Sequence, residues 1–181
     1  MKDKMYTMRA PICQGLTDLI TYLNSTKNTK DMTMIEIGSY AGESTRLFSE
    51  VFKKVISIDP FMNDYDKNDI TCDYMNLDKV YFHFINNISQ HSNIEHIRKT
   101  SDEAIFDLKN LKVDFVYIDG LHTYEQVKKD IINYKPLINS GGFIGGHDYN
   151  PHWQGVKNAI DEEFPLLDRT FIDTSWIFQI K

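Results

Sequence analysis

Five short apolar runs, separated by stretches of helical periodicity, constrain this chain more than any other feature. They are MIEI (34–37), VISI (55–58), IEHI (94–97), DFVYI (114–118) and GFIG (142–145). Strands that alternate with helices build a parallel sheet covered on both faces. Leu16, Leu19, Ile20 and Leu23 repeat at helical spacing before the first run, and Ser44 to Phe52 carries Leu47, Phe48 and Val51 on one face. Thr123 is placed to cap a further helix, with Gln126 completing a capping box. Val127, Ile131 and Tyr134 form that helix's stripe and Pro136 stops it, while Val156, Ala159 and Ile160 mark one more. The tail RTFIDTSWIFQI reads as two strands around Asp173, Thr174 and Ser175. The pattern predicts an α/β fold: a Rossmann-like, mostly parallel sheet with helices on both faces and a C-terminal antiparallel hairpin.

Length and composition narrow the class. A chain of 181 residues, 41% of them hydrophobic, is one domain's worth, 1–181, and buries a real core. No run of about 18 apolar residues is present, so no membrane span is expected. The start, MKDKMYTMRAPICQG, has no apolar signal core, and Cys13 and Cys72 are lone thiols without C-x-x-C spacing. The expectation is a reduced, cytoplasmic protein. A formal charge of −6 argues against a nucleic-acid partner. The lysine pairs Lys53-Lys54 and Lys128-Lys129 read as solvated helix ends. Between Pro60 and Val80 the rhythm breaks in FMNDYDKNDITCDYMNLDK, which reads either as a plain surface loop or, over 61–80, as a lid on the acceptor.

The stretch TMIEIGSYAGESTRL (33–47) carries the first chemical signal. A dinucleotide pyrophosphate sits directly on backbone at a helix N-terminus, which is why such folds crowd glycines as G-x-G-x-x-G. Here the pattern is Glu36, Gly38, Gly42. Gly38 allows the sharp turn out of the strand, and Gly42 permits close approach. A carboxylate at Glu36 repels phosphate and suits a cationic ligand. S-adenosylmethionine is one, with an ammonium, a sulfonium and no phosphate. Asp59 ends the second strand about twenty residues on, where an acid accepts ribose hydroxyls; by itself it says only nucleoside, and an acidic strand-end cap is its structural alternative.

With these residues in place, the chain resembles the class I S-adenosylmethionine-dependent methyltransferases from about Met34 to Phe164. IEIGSYAGEST is similar to the first cofactor motif, Ser39 included, and VISIDPF to the second. IRKTSDEAI resembles the segment bordering the adenine, which implies contacts from Ser101 and Asp102. VDFVYIDGLHTYEQVKKDI, followed by GGFIGGHDY and GVKNAIDEEF, resembles a subgroup of small O-methyltransferases that includes metal-dependent sugar O-methyltransferases. The resemblance implies a small hydroxylated acceptor such as a glycan, with S-adenosylmethionine and in some members Mg2+ as cofactors, and Asp119 within reach of the cofactor.

The second half also has a chemistry of its own. Asp119 ends a strand, His122 follows three residues on, and Asp148, flanked by His147 and Tyr149, ends the next strand. Neighbouring parallel strands lie about 4.8 Å apart, so these groups are expected to converge at one sheet edge. Two carboxylates, Asp119 and Asp148, with imidazoles beside them suit a hard divalent cation. Tyr149, next to Asp148, is a poor magnesium ligand, so His147, water or no metal at all remain open completions. An alcohol becomes a nucleophile when its proton leaves, and His122 is the candidate base, with His147 second. Trp153 reads as a sugar platform or as sheet-edge cover; His83, His91 and His96 show no partner spacing. Acceptor choice falls to 61–80, the loop after Tyr149, the N-terminal segment or a second subunit in a homo-oligomer. Two other classes share the fold: an NAD-dependent oxidoreductase, disfavoured by the missing G-x-G-x-x-G, and a non-catalytic cofactor-binding or assembly protein, which has no need of the acid–histidine cluster.

Overall fold

The structure is a computed structural model and describes residues 10–63 and 76–181. The centre of the expected lid, 64–75, and the side chains of Cys13 and Cys72 lie outside the described residues. In chain order the elements are α1 (Ala10–Thr26), β1 (Thr33–Ile37), α2 (Glu43–Val51), β2 (Lys54–Ile58), α3 (Leu77–Ile88), β3 (Ile94–Ile97) and α4 (Ser101–Leu108). These are followed by β4 (Val113–Ile118), α5 (Tyr124–Tyr134), β5 (Ile138–Gly146), α6 (Gln154–Glu163), β6 (Arg169–Thr170) and β7 (Trp176–Gln179). The described strands form one sheet in the order β3-β2-β1-β4-β5-β7-β6. β1 to β5 run parallel, β7 is antiparallel to β5, and β6 pairs antiparallel with β7 at the edge. The mostly parallel sheet and its closing hairpin are thus as the sequence predicts.

Alternate strand residues feed two cores, as a period of two requires. Met34, Val55, Phe115, Tyr117, Phe143 and Ile177 face Leu16, Leu19 and Leu23 of α1 and Phe48 of α2. Ile35, Ile56, Val116 and Ile144 face the other way, toward Ala104 of α4, Val127 and Ile131 of α5 and Ile160 of α6. A polar row crosses the α1/α2 face. Glu36 stands opposite Tyr117 on β4 and Ser57 on β2, and Ser57 stands opposite His96 on β3.

Local chemistry sets the helix starts. Thr100 and Glu103 form a full capping box at α4. At α5 only half of the expected box forms: Thr123 accepts from the Gln126 N–H, but the Gln126 side chain reaches across to Asp130 (3.0 Å) and Ser101 (3.1 Å). The lysine pairs are not helix ends as expected: Lys54 opens β2, and Lys128 and Lys129 lie within α5. Lys54 pairs with Glu95, Lys128 with Glu162 and Lys129 with Asp102. The end of the expected lid, Leu77–Val80, is the first turn of α3.

Phe48 is fully buried and meets Phe52, Phe115 and Tyr117 at ring separations of 5.8, 6.4 and 5.2 Å. Phe48→Ala is therefore expected to cost about 3–5 kcal/mol and lower the urea unfolding midpoint accordingly. An unchanged midpoint would mean that α2 does not seal this face.

Candidate active site

Two loops at the carboxyl edge of the sheet carry the polar groups. The first leaves β1 at Gly38, whose φ of +84° favours glycine, and whose missing Cβ would stand 1.9 Å from the Asp119 carbonyl oxygen. A side chain there would push the β1 loop off the end of β4. Gly42 has φ +83°, and its vacant side-chain space is taken by the Phe84 ring rather than left open. Glu36 is fully buried beneath this loop and accepts from Ser39 Oγ (3.3 Å), Ser44 Oγ (2.5 Å) and Thr45 Oγ1 (2.5 Å). Burial pushes its pKa up to about 7 against the pull of those hydroxyls. Ser39 Oγ also meets Ser57 Oγ at 2.6 Å, and Ser57 meets His96 Nδ1 at 3.2 Å.

Asp59 ties the β1 and β2 loops together. Oδ2 accepts the N–H groups of Ser39 and Tyr40, and Oδ1 accepts that of Phe61, all at 2.9 Å. Tyr40 and Phe61 both hold positive φ, at 43° and 49°. The carboxylate therefore holds a strained pair of turns in place. Burial raises its pKa, opposed by the three N–H groups. Ser101 and Asp102 sit at the start of α4 and are tied to α5, Ser101 through Gln126 and Asp102 through Lys129 at 2.6 Å.

The second loop group gathers four of the residues singled out from sequence. His122 Nε2 lies 2.9 Å from Asp148 Oδ2, and His147 Nδ1 lies 3.3 Å from the same oxygen and 3.9 Å from Asp119 Oδ1. Asp148 itself adopts φ +62°, a costly backbone that aims its carboxylate between the two imidazoles. Burial would raise the Asp148 pKa, but the hydrogen bonds to His122 and His147 hold it well below the usual carboxylate range. Burial would lower that of His147, but Asp119, Asp148 and Asp173 raise it to about 9. Loss of water, then the Asp148 charge, push Asp119 up to about 6 against the pull of His147. At neutral pH His147 is an imidazolium and cannot accept a proton. Asp148 is ionised and can only accept, so the nitrogen of His122 facing it, Nε2, bears the hydrogen. In the tautomer this makes, Nδ1 is the atom that can accept a proton.

Trp153 turns out to be a wall for His122. The two rings stack at 4.3 Å and 22°. Tyr149 points away from the cluster, its hydroxyl bonded to Asp161 on α6 at 2.5 Å. Asp119, His122 and Asp148 each present one ligand atom, all within 4.8 Å of one another. Two carboxylates and an imidazole are a donor set that suits a divalent cation, so these residues fit one. Asp173 and Ser175, beside His147, were not singled out from the sequence. Their signal was hidden in the register that sets β7 against β5. His96 and His91, given no role, bond Ser57 (3.2 Å) and Ser49 (2.7 Å) respectively.

Residues 35–149 match the family model described as "Methyltransferase domain". That span is most of the chain, which therefore belongs to this methyltransferase family. The uncharacterized protein R132 of Acanthamoeba polyphaga mimivirus is 34% identical over 140 residues, covering 74% of this chain and 59% of that relative's length. Among solved structures, CalS11, a TDP-rhamnose 3'-O-methyltransferase of calicheamicin biosynthesis, superposes with a TM-score of 0.65 at 14% identity, over 94% of this chain and 81% of its own. The N-methyltransferase NodS from Bradyrhizobium japonicum WM9, in complex with S-adenosyl-L-homocysteine, gives 0.64 at 14% identity, over 95% and 88%. The fold is that of the class I S-adenosylmethionine-dependent methyltransferases. No helix among the described residues is long and apolar enough to cross a membrane.

The His147 pKa carries a stability signature. A histidine raised from 6.5 to about 9 contributes stability that is complete below about pH 6.5 and is lost as pH rises through 9. The melting temperature of the native protein is expected to exceed that of His147→Gln most at pH 6, with the gap closing by pH 10. Each kcal/mol corresponds to about 2–4 °C for a chain of this size. A constant gap across that range would show that His147 is not held as a cation.

Proposed function

We propose that the protein is an S-adenosylmethionine-dependent O-methyltransferase acting on a small hydroxylated acceptor, a sugar before other classes. The observation that carries this reading is the abutment of Gly38 on Asp119, which sets the β1 loop against the acid–histidine cluster. A methyl donor lying over the β1 loop at Gly38 and Ser39 would have its sulfonium end beside His122. Asp59 would meet the ribose with the lone pairs its backbone partners leave, and Ser101 and Asp102 would border the adenine. Glu36, buried under the loop, would act by holding the loop rather than by touching the donor's ammonium.

In the transfer step the acceptor oxygen attacks the methyl carbon, the carbon–sulfur bond breaks and sulfur keeps its electron pair. The hydroxyl proton passes to Nδ1 of His122. Asp148 orients that ring and stabilises the imidazolium it becomes, while Trp153 holds its plane. A hydroxyl needs such a base far more than an amine does, which favours oxygen over nitrogen as the methylated atom. Asp119 and Asp148 would hold a divalent cation, Mg2+ or one more tolerant of imidazole, with His122 or water beside them. When bound, it would lower the pKa of the acceptor hydroxyl. The sugar assignment draws on the likeness to CalS11.

Calorimetric titration is expected to show binding of S-adenosylmethionine and none of NAD. Asp59→Ala should weaken that binding by about 1–3 kcal/mol; unchanged affinity removes Asp59 from the donor site. With sugar nucleotides as trial acceptors, His122→Ala should lower turnover about 10²–10⁴-fold while donor affinity survives. Full activity of that variant excludes His122 as base. Full activity in chelator, with no metal found in the protein, makes the two aspartates orienting groups only.

A further inference from the structure

Beside the Nε2 edge of His147 lies a carboxylate that the transfer step does not use. The Asp173 side chain has no exposed surface, and its Oδ2 lies 4.0 Å from His147 Nε2. That nitrogen is buried and has no hydrogen-bond partner among the described residues. Buried polar groups are kept where a partner meets them, so the two atoms account for each other. The distance is that of an ion pair and exceeds a hydrogen bond.

The turn is built to keep the carboxylate there. Gly15 of α1 packs against it so closely that a Cβ would stand 2.0 Å from Asp173 Cγ. Asp173 Oδ1 accepts the Ser175 N–H at 3.0 Å, and Oδ2 accepts the Ser175 hydroxyl at 2.9 Å. Ser175 Oγ in turn meets Tyr117 OH at 3.2 Å. Thr174 holds φ +74°, and its carbonyl and hydroxyl accept the Tyr149 N–H (3.0 Å) and the Asn150 amide (3.3 Å). The hairpin turn is thus latched to the loop that carries Asp148.

We propose that Asp173 is a positioning residue of the active site, holding His147 at its Nε2 edge so that the ring presents Nδ1 to Asp148 and Asp119. An imidazole turned by 180° about its Cβ–Cγ bond would exchange its ring edges and withdraw that nitrogen from Asp148. Asp148 would then lose one of the two groups that fix it against His122. The consequence for catalysis rests on the function proposed above; the positioning itself does not.

The test needs neither methyl donor nor acceptor, so it stands apart from that reading. In 15N-labelled protein, a His147 ring N–H resonance protected from solvent exchange is expected, assigned by its absence in His147→Gln. Asp173→Asn keeps an oxygen for the Ser175 N–H but removes the charge facing His147. Gly15→Ala removes no charged group and displaces the Asp173 carboxylate by crowding. Both are expected to speed exchange of that resonance roughly tenfold or more, the worth of one hydrogen bond to a charged group, with circular dichroism unchanged. Exchange unaltered in either folded variant overturns the proposal, as does the lack of a protected His147 resonance in the native protein. If Asp173→Asn does not fold, Gly15→Ala decides alone.

Discussion

The site depends on one close approach, that of Gly38 to the carbonyl of Asp119. Parallel strands bring loops to a common edge, but neighbouring loops diverge unless something lets them touch. Here the something is an absent Cβ at a position whose backbone also requires positive φ. Asp59 then fastens the β1 loop from the β2 side through two N–H groups. Between these two restraints the loop has little freedom, and the polar cluster of β4 and β5 is kept beside it. Buried Glu36, with its three hydroxyl donors, completes the support from below.

The acid–histidine cluster shows how environment divides the roles of like residues. Two histidines share one carboxylate oxygen, and His147 lies within ion-pair distance of Asp119 and Asp173 as well. The added negative charge keeps it an imidazolium, while His122 is stacked on an indole and bonded to Asp148. A ring that carries a permanent charge screens the carboxylates from each other. The other is positioned to exchange a proton.

Much of this was legible beforehand, for a physical reason. Strand–helix alternation, the glycines of 38 and 42 and the acids at strand ends are local signals, and parallel topology converts strand ends into neighbours without further information. The convergence of Asp119, His122, His147 and Asp148 followed from that alone. What stayed hidden depends on long-range register and on side-chain direction. Asp173 reads as a hairpin turn residue until β7 is laid against β5. Trp153 reads as a free platform until it is seen against His122. Gly42 reads as space for a ligand until Phe84 of α3 fills it, and α3 itself is obscured by the polar segment before it. The half-made capping box at Thr123 failed because Gln126 had better partners in Asp130 and Ser101.

The polar row across the sheet has a consequence for how the strands find each other. Tyr117, Glu36, Ser57 and His96 lie side by side on four strands, on the α1/α2 face. The opposite face at this level is lined by isoleucine and valine. Sliding any one of these strands by a single residue would turn its polar member into that aliphatic layer, and for Glu36 the misplaced group would be a carboxyl with no hydroxyl to meet it. Without Ser57 and Glu36, the strands VISI and MIEI would be apolar throughout and would pair almost equally well in several alignments. The row acts as a set of keys, each readable only by its neighbour, and makes the wrong alignments of the central sheet costly while it is still assembling.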